Sequence, residues 1–370
     1  MAGLSQNSNR LVELDALRGI AAVLVMLFHY TAKYEELYGH QPSLSISVPW
    51  GHYGVNLFFM ISGFVIYMTL YRIRRPLDFV VSRFSRLFPA YWVAVAITFL
   101  LCHLLALPQK TVDVSTAGMN LFMIHGLFRI PHVDGVYWTL EIELIFYAMA
   151  LAMHVSGWLH RVHAALLGLL ALRITYALAE KFAGIELSWT LSHLLILPYI
   201  AWFSLGIMIY RLITFPAESP RKDFLVLLLA IGQLAIVDGI NIALLASGLA
   251  LIFWAAATGR LPWLANPLFA WLGAISYTLY LLHENIGWGI ILQLERNGVS
   301  ANAAVAVAIA TALGMASMLT LFVERPVMRL IREKYRNRQW ASLGWRRPIG
   351  LAIIFLLTLA GLSYAWHREH

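Results

Sequence analysis

Cysteine is almost missing: Cys102 is the only one in 370 residues. That excludes an intrachain disulfide, a Cys-x-x-Cys redox pair and a multi-cysteine metal site. Cys102 lies in an apolar run and reads as a small hydrophobe rather than a nucleophile. Charge is also scarce, at 12% of residues against about 25% in a soluble domain. Strand-like alternation of period two is absent, which argues against a barrel. No His-Glu-x-x-His is present. The histidines His125, His132, His154, His160 and His163 lack metal-ligand spacing, so no metal is expected. No small-residue cleavage site follows the first apolar stretch, which is therefore expected to persist as a span. Internal repeats and low-complexity tracts are lacking too.

What remains is overwhelmingly apolar. Hydrophobic residues make up 60% of the chain, and the mean hydropathy is +0.72. Repeated apolar stretches near membrane-spanning length predict an all-α, polytopic membrane helix bundle. The expected spans are about eleven: 16–32, 54–71, 90–107, 137–154, 162–179, 191–211, 224–238, 241–258, 268–294, 302–323 and 348–366. Residues 1–335 form the expected membrane domain, and 336–370 an added basic loop and C-terminal helix. The net charge of +8 falls in short loops and reads as topology and as attraction for anionic lipid, not as a nucleic-acid surface. Arg72, Arg74, Arg75, Arg83 and Arg86 fill the second loop, Arg211, Arg221 and Lys222 the sixth, and Arg325 to Arg347 the tenth. The alternate loops are poor in Lys and Arg, so the positive-inside rule puts the N-terminus in the cytoplasm and the C-terminus outside.

The few polar groups inside the spans are costly and point to a site. Arg18 and His29 share the first span. Eleven helical steps overshoot three turns by roughly 20°, so both leave one face about 16 Å apart. A pair between Arg18 and Asp15 at i, i+3 is the plainer alternative. Counting depth along each span places His29, Glu143 and His283 in one layer of the outer half. Glu141 lies about 200° around the helix from Glu143 and is expected to snorkel or to pair elsewhere. Arg83 and Arg86 share a helical face and, with Arg18, form a cationic mouth suited to phosphate. Plain positive-inside charge is the alternative there.

Six elements in order then resemble the acyltransferase-3 family of membrane carbohydrate O-acyltransferases. They are Arg18-x10-His29, the stretch 54–64, Arg83-x-x-Arg86, Trp138-Thr139-Leu140-Glu141-Ile142-Glu143 with Phe146-Tyr147, the stretch 273–283 ending at His283, and Phe322-Val323-Glu324-Arg325-Pro326. Thr139 stands where Ser is usual, and Leu144 and Ile145 where polar residues are common. The resemblance implies transfer of an acetyl group from cytoplasmic acetyl-CoA (acyl-CoA), across the cell's inner membrane, to a glycan or lipid-linked sugar acceptor. Arg18, Arg83 and Arg86 would hold CoA phosphates. His29 would be the general base, and Glu143 would orient it. Tyr277 is a candidate oxyanion donor, Trp138 a candidate sugar platform, and His283 a substrate-side, packing or gating residue. Ser62, Ser276 and Thr139 are candidate acyl carriers, although direct transfer in a ternary complex is simpler. A small secreted acceptor such as a macrolide is a second reading. A proton-coupled transporter is a third, disfavoured because the chain lacks repeated halves.

Overall fold

The computed structural model describes residues 7–337, apart from 42 and 187. It is an all-α membrane bundle, with no strand among the described residues. Helix α1 (Asn7–Phe28) runs into a π-helical turn (His29–Lys33) and a short α2 (Tyr34–Leu37). Next come α3 (Gly54–Arg72), α4 (Pro76–Leu104), the loop helix α5 (Val114–Asn120) and α6 (Trp138–Val155). Then follow α7 (Val162–Ala183), α8 (Trp189–Leu194), α9 (Ile200–Thr214), α10 (Pro220–Val237) and α11 (Ile240–Ala257). The chain continues through α12 (Pro267–Leu282), α13 (Glu284–Arg296), α14 (Ala301–Leu319), a second π turn (Thr320–Glu324) and α15 (Arg325–Asn337). Six of the described helical stretches are long and apolar enough to cross a membrane, and α9 and α12 are shorter apolar helices.

Ten of the eleven expected spans coincide with helix, and two of these are divided. The expected span 191–211 is broken by a turn at Leu195–Tyr199, where Ile196 takes a left-handed conformation. The expected span 268–294 divides at His283. There the Asn285 amide donates to Asp134 Oδ2 while the Leu281 carbonyl accepts from the Tyr137 hydroxyl, and side-chain partners of this kind interrupt the helical ladder. The basic loop expected after residue 323 is helical to Asn337. It docks on α4 as Arg332 donates to Ser85 Oγ and Tyr335 to Asp78. The expected span 348–366 lies outside the described residues.

Helix α1 packs along α12, and that pairing positions most of the polar core. Gly19 and Gly273 face one another at the crossing. A Cβ on Gly19 would strike the backbone of Leu272 and Gly273, which has no flexible side chain to yield. Small residues let membrane helices approach this closely. Gly19→Leu is therefore expected to force the two helices apart, at a cost of about 1–3 kcal/mol or more. The thermal transition of the purified variant in detergent checks this; an unchanged transition would mean that the contact is dispensable.

Candidate active site

Two polar groups lie at different depths of the bundle core. The first surrounds a narrow cavity of about 70 Å³. Arg18 from α1, Arg83 and Arg86 from α4, Glu143 and Tyr147 from α6, Ser62 from α3, and Tyr277 and Tyr280 from α12 line it. Glu143 accepts hydrogen bonds from Ser62 Oγ (3.2 Å) and from the Tyr147 hydroxyl. Arg18 contacts Asp15 at 3.6 Å, but Asp15 is 56% exposed, so that pair is worth little. Among the described residues, no carboxylate lies within ion-pair distance of Arg83 or Arg86. Arg83 Nε is buried without a hydrogen-bond partner. Arg332, which sequence reasoning did not single out, adds a fourth guanidinium near Arg83 and Arg86. A cluster of guanidinium groups held this way has hydrogen-bonding capacity left for an anion.

The second group centres on His29, the first residue of the π turn that interrupts α1. Such turns are rare and recur at functional sites. His29 Nδ1 lies 2.9 Å from the Val25 carbonyl and 3.1 Å from His283 Nε2. His283 Nδ1 lies against the Leu279 and Tyr280 carbonyls. These acceptors assign a proton to Nδ1 of each ring, which leaves Nε2 of His29 for chemistry. That nitrogen lies 3.3 Å from Glu284 Oε2, and His29 is open at 14% of its side-chain surface. The Trp288 indole donates to the His29 carbonyl (2.8 Å) and fixes the turn from the other side. Asp134 ties the start of α13 to the approach of α6, accepting from the Asn285 and Val136 amides.

The expected residues therefore divide between the two groups. Arg18, Arg83, Arg86, Glu143 and Tyr277 gather in the cavity, and His29 and His283 in the imidazole pair. Glu143 does not contact His29, so the expected orienting contact is corrected: the carboxylate beside that ring belongs to Glu284. Depth counted along straight spans puts Glu143 level with His29, but the partners of Glu143 are Ser62 and Tyr147. The Tyr277 hydroxyl is already donated to the Leu87 carbonyl (2.9 Å), so it is not a free donor. Trp138 packs against Phe59 and Tyr199 and is absent from the lining of the arginine cavity and from that of the cavity beside Asn285. His283 is fully buried, with its ring nitrogens facing protein groups, which makes it a positioning residue. Glu141 is buried and pairs with His193 at 3.3 Å.

Sequence reasoning passed over Glu284. The available signal was an acid directly after His283, inside a stretch already counted as a span, where its burial is expensive. Tyr280 borders both groups. It lines the arginine cavity, donates to Val136 O, shares a 2.8 Å hydrogen bond with Thr139 Oγ1, and lies tilted against the His283 ring with the centroids 5.6 Å apart.

No solved structure matches the chain. Among curated proteins, it is 28% identical over 131 residues to the "Exopolysaccharide production protein ExoZ" of Rhizobium meliloti. That match covers 34% of this chain and 38% of the relative. It is 30% identical over 134 residues to "Protein 2 in picA locus" of Rhizobium radiobacter, covering 33% of this chain and 65% of the relative. The chain thus spans less than two thirds of the length of either relative. The family described as "Acyltransferase domain" matches residues 11–323, which include both polar groups and the cavity. On that match, the chain belongs to the acyltransferase-3 family.

Proposed function

We propose that the protein moves an acetyl or similar short acyl group from cytoplasmic acyl-CoA to a hydroxyl of an exopolysaccharide, O-antigen or related glycan unit at the inner membrane. One observation carries the reading: Arg83 and Arg86 lie in one cavity without carboxylate partners, and Tyr280, which lines that cavity, packs against His283, the neighbour of an open imidazole that lies beside a carboxylate. The kinship with an exopolysaccharide production protein supports a glycan acceptor.

In this reading Arg18, Arg83 and Arg86 grip the phosphates of CoA. The narrow cavity is too small for the nucleotide and widens to take the slender pantetheine arm. Tyr280 moves aside to let the thioester reach His29. The acceptor hydroxyl gives its proton to His29 Nε2 as its oxygen attacks the thioester carbonyl. Glu284, 3.3 Å from that same nitrogen, stabilises the imidazolium that forms once Nε2 carries the proton. The C–S bond breaks, and the proton passes to the departing sulfur, giving the acyl ester and free CoA. His283 and the Val25 carbonyl keep Nδ1 occupied, so Nε2 faces the reaction.

Membranes containing the protein, supplied with acetyl-labelled CoA, test this directly. Label is expected in the glycan fraction. Label confined to the donor, with glycan crossing unmodified, would identify a transporter instead. In the same assay Glu284→Gln keeps the shape and removes the charge. It is expected to lower turnover about ten- to a hundredfold, the worth of one charged hydrogen bond, with little change in donor KM. Full turnover in the variant would remove Glu284 from the mechanism.

A further inference from the structure

A second, wider cavity of about 500 Å³ opens beside the His29 group and plays no part in the donor path. Its volume falls within the range of about 300–1,000 Å³ usual for small-molecule sites. The α4–α6 connection forms most of it, and Asn285 of α13 closes its base. Resting on the acyl-transfer reading above, we propose that this cavity binds a sugar residue of the acceptor glycan, with Asn285 Oδ1 receiving a sugar hydroxyl and Lys110 a ring or substituent oxygen.

The wall between this cavity and the His29–Glu284 pair is one residue thick. Gly135 lines the cavity and lies against the Glu284 carboxyl group, which fills the space a Cβ would need. Asn285 is the next residue after Glu284. Lys110 rests its ammonium 4.8 Å over the ring of Trp288, the residue whose indole holds the His29 carbonyl. A sugar in this cavity lies one residue from the Glu284 carboxyl group, behind a lining that shares no residue with the arginine cavity. Donor and acceptor then meet at His29 without sharing a route.

The lining also has unmet polar capacity. Asn285 is 2% exposed. Its backbone amide donates to Asp134 Oδ2 and its Nδ2 to the Val133 carbonyl at 2.9 Å, but its Oδ1 has no partner. A buried acceptor left unpaired costs about 1–3 kcal/mol, and a ligand hydroxyl would recover that. Among the described residues Lys110 has no carboxylate within ion-pair distance, so its donors are free apart from the ring beneath. Asp113 lies at the rim. Its carboxylate is held down to about 2, first by the Thr116 amide and then by the Ser115 and Thr116 hydroxyls. It is therefore ionised and already engaged, and it serves to shape the rim.

Saturation-transfer NMR on the full chain in lipid nanodiscs tests the site without requiring catalysis. The probes are methyl β-D-glucopyranoside, methyl β-D-galactopyranoside and methyl β-D-glucuronide. Saturation is expected to reach at least one of them. It should fall about fivefold, the worth of one neutral hydrogen bond, in Asn285→Leu and separately in Lys110→Met. The lysine variant alters only a partly exposed side chain, so it answers the question even if Asn285→Leu fails to fold. Stronger transfer to the glucuronide than to the neutral glycosides, abolished by Lys110→Met, would identify an acidic sugar. Transfer unchanged in a folded variant, or absent for all three probes, would overturn the assignment. The acyl-transfer reading fails separately: sugar binding without acetyl label in the glycan would refute that reading, and label in the glycan with no role for this cavity would refute only this one.

Discussion

Replacing His29 with alanine is expected to lower acyl transfer by about 10²–10⁴-fold, the usual contribution of a positioned general base. Nothing else in the described core can take its part. His283 is the nearest imidazole, but its Nδ1 is held by two carbonyls and its Nε2 faces His29. Glu284 would be left buried without its partner, so some loss of stability is expected as well. His29→Asn separates the two effects, because its amide nitrogen can keep the bond to the Val25 carbonyl while the base is gone. Initial rates with labelled acetyl-CoA, read beside the thermal transition and donor binding of each variant, decide the matter. Near-normal turnover in either folded variant would remove His29 from the chemistry. Unchanged donor binding with lost turnover would place its role in the transfer step.

The joint substitution of Arg83 and Arg86 by alanine is expected to raise the donor KM at least about a hundredfold. Each charged hydrogen bond to phosphate is worth about 1.5–3 kcal/mol, and two are lost together. Neither guanidinium is in an ion pair in the described protein, so the change removes ligand contacts rather than breaking an internal bridge. Arg86→Lys should recover part of the loss, because an ammonium keeps the charge but not the paired grip on phosphate. The measurement is the dependence of rate on donor concentration at fixed acceptor. If the two arginines serve only to anchor topology, the KM will stay put while membrane insertion suffers.

Much of the architecture was legible from single elements. Gly54–Arg72 and Ala301–Leu319 are apolar around their whole circumference, so length alone marks them as spans. The Asp238-Gly239 turn divides the expected 224–258 region into two helices, as glycine with φ of 100° permits. The motif that pairs Arg18 with His29 also proved to mark the two ends of the polar core. The partners of those residues were less accessible. Glu143 and Glu284 are both acids in apolar spans, and the cost of burial flags each equally. Which of them meets His29 depends on a contact between positions 29 and 284, in elements with no local relation. The second cavity was invisible for the same reason: Lys110, Gly135 and Asn285 are unremarkable residues until the fold brings them together.

By itself, then, the order of residues determined a membrane-embedded helical bundle, its family and the kinds of group it holds in its interior, because hydropathy, helical period and the expense of buried charge act over a few turns of chain. Tertiary structure alone decided that Glu284 rather than Glu143 stands beside the imidazole, that Tyr280 borders both the arginine cavity and His283, and that Asn285 keeps an unsatisfied oxygen. These outcomes follow from the close crossing at Gly19 and Gly273 and from side chains that replace ladder partners at Leu281 and Asn285. All of them arise from long-range packing, which no local pattern encodes.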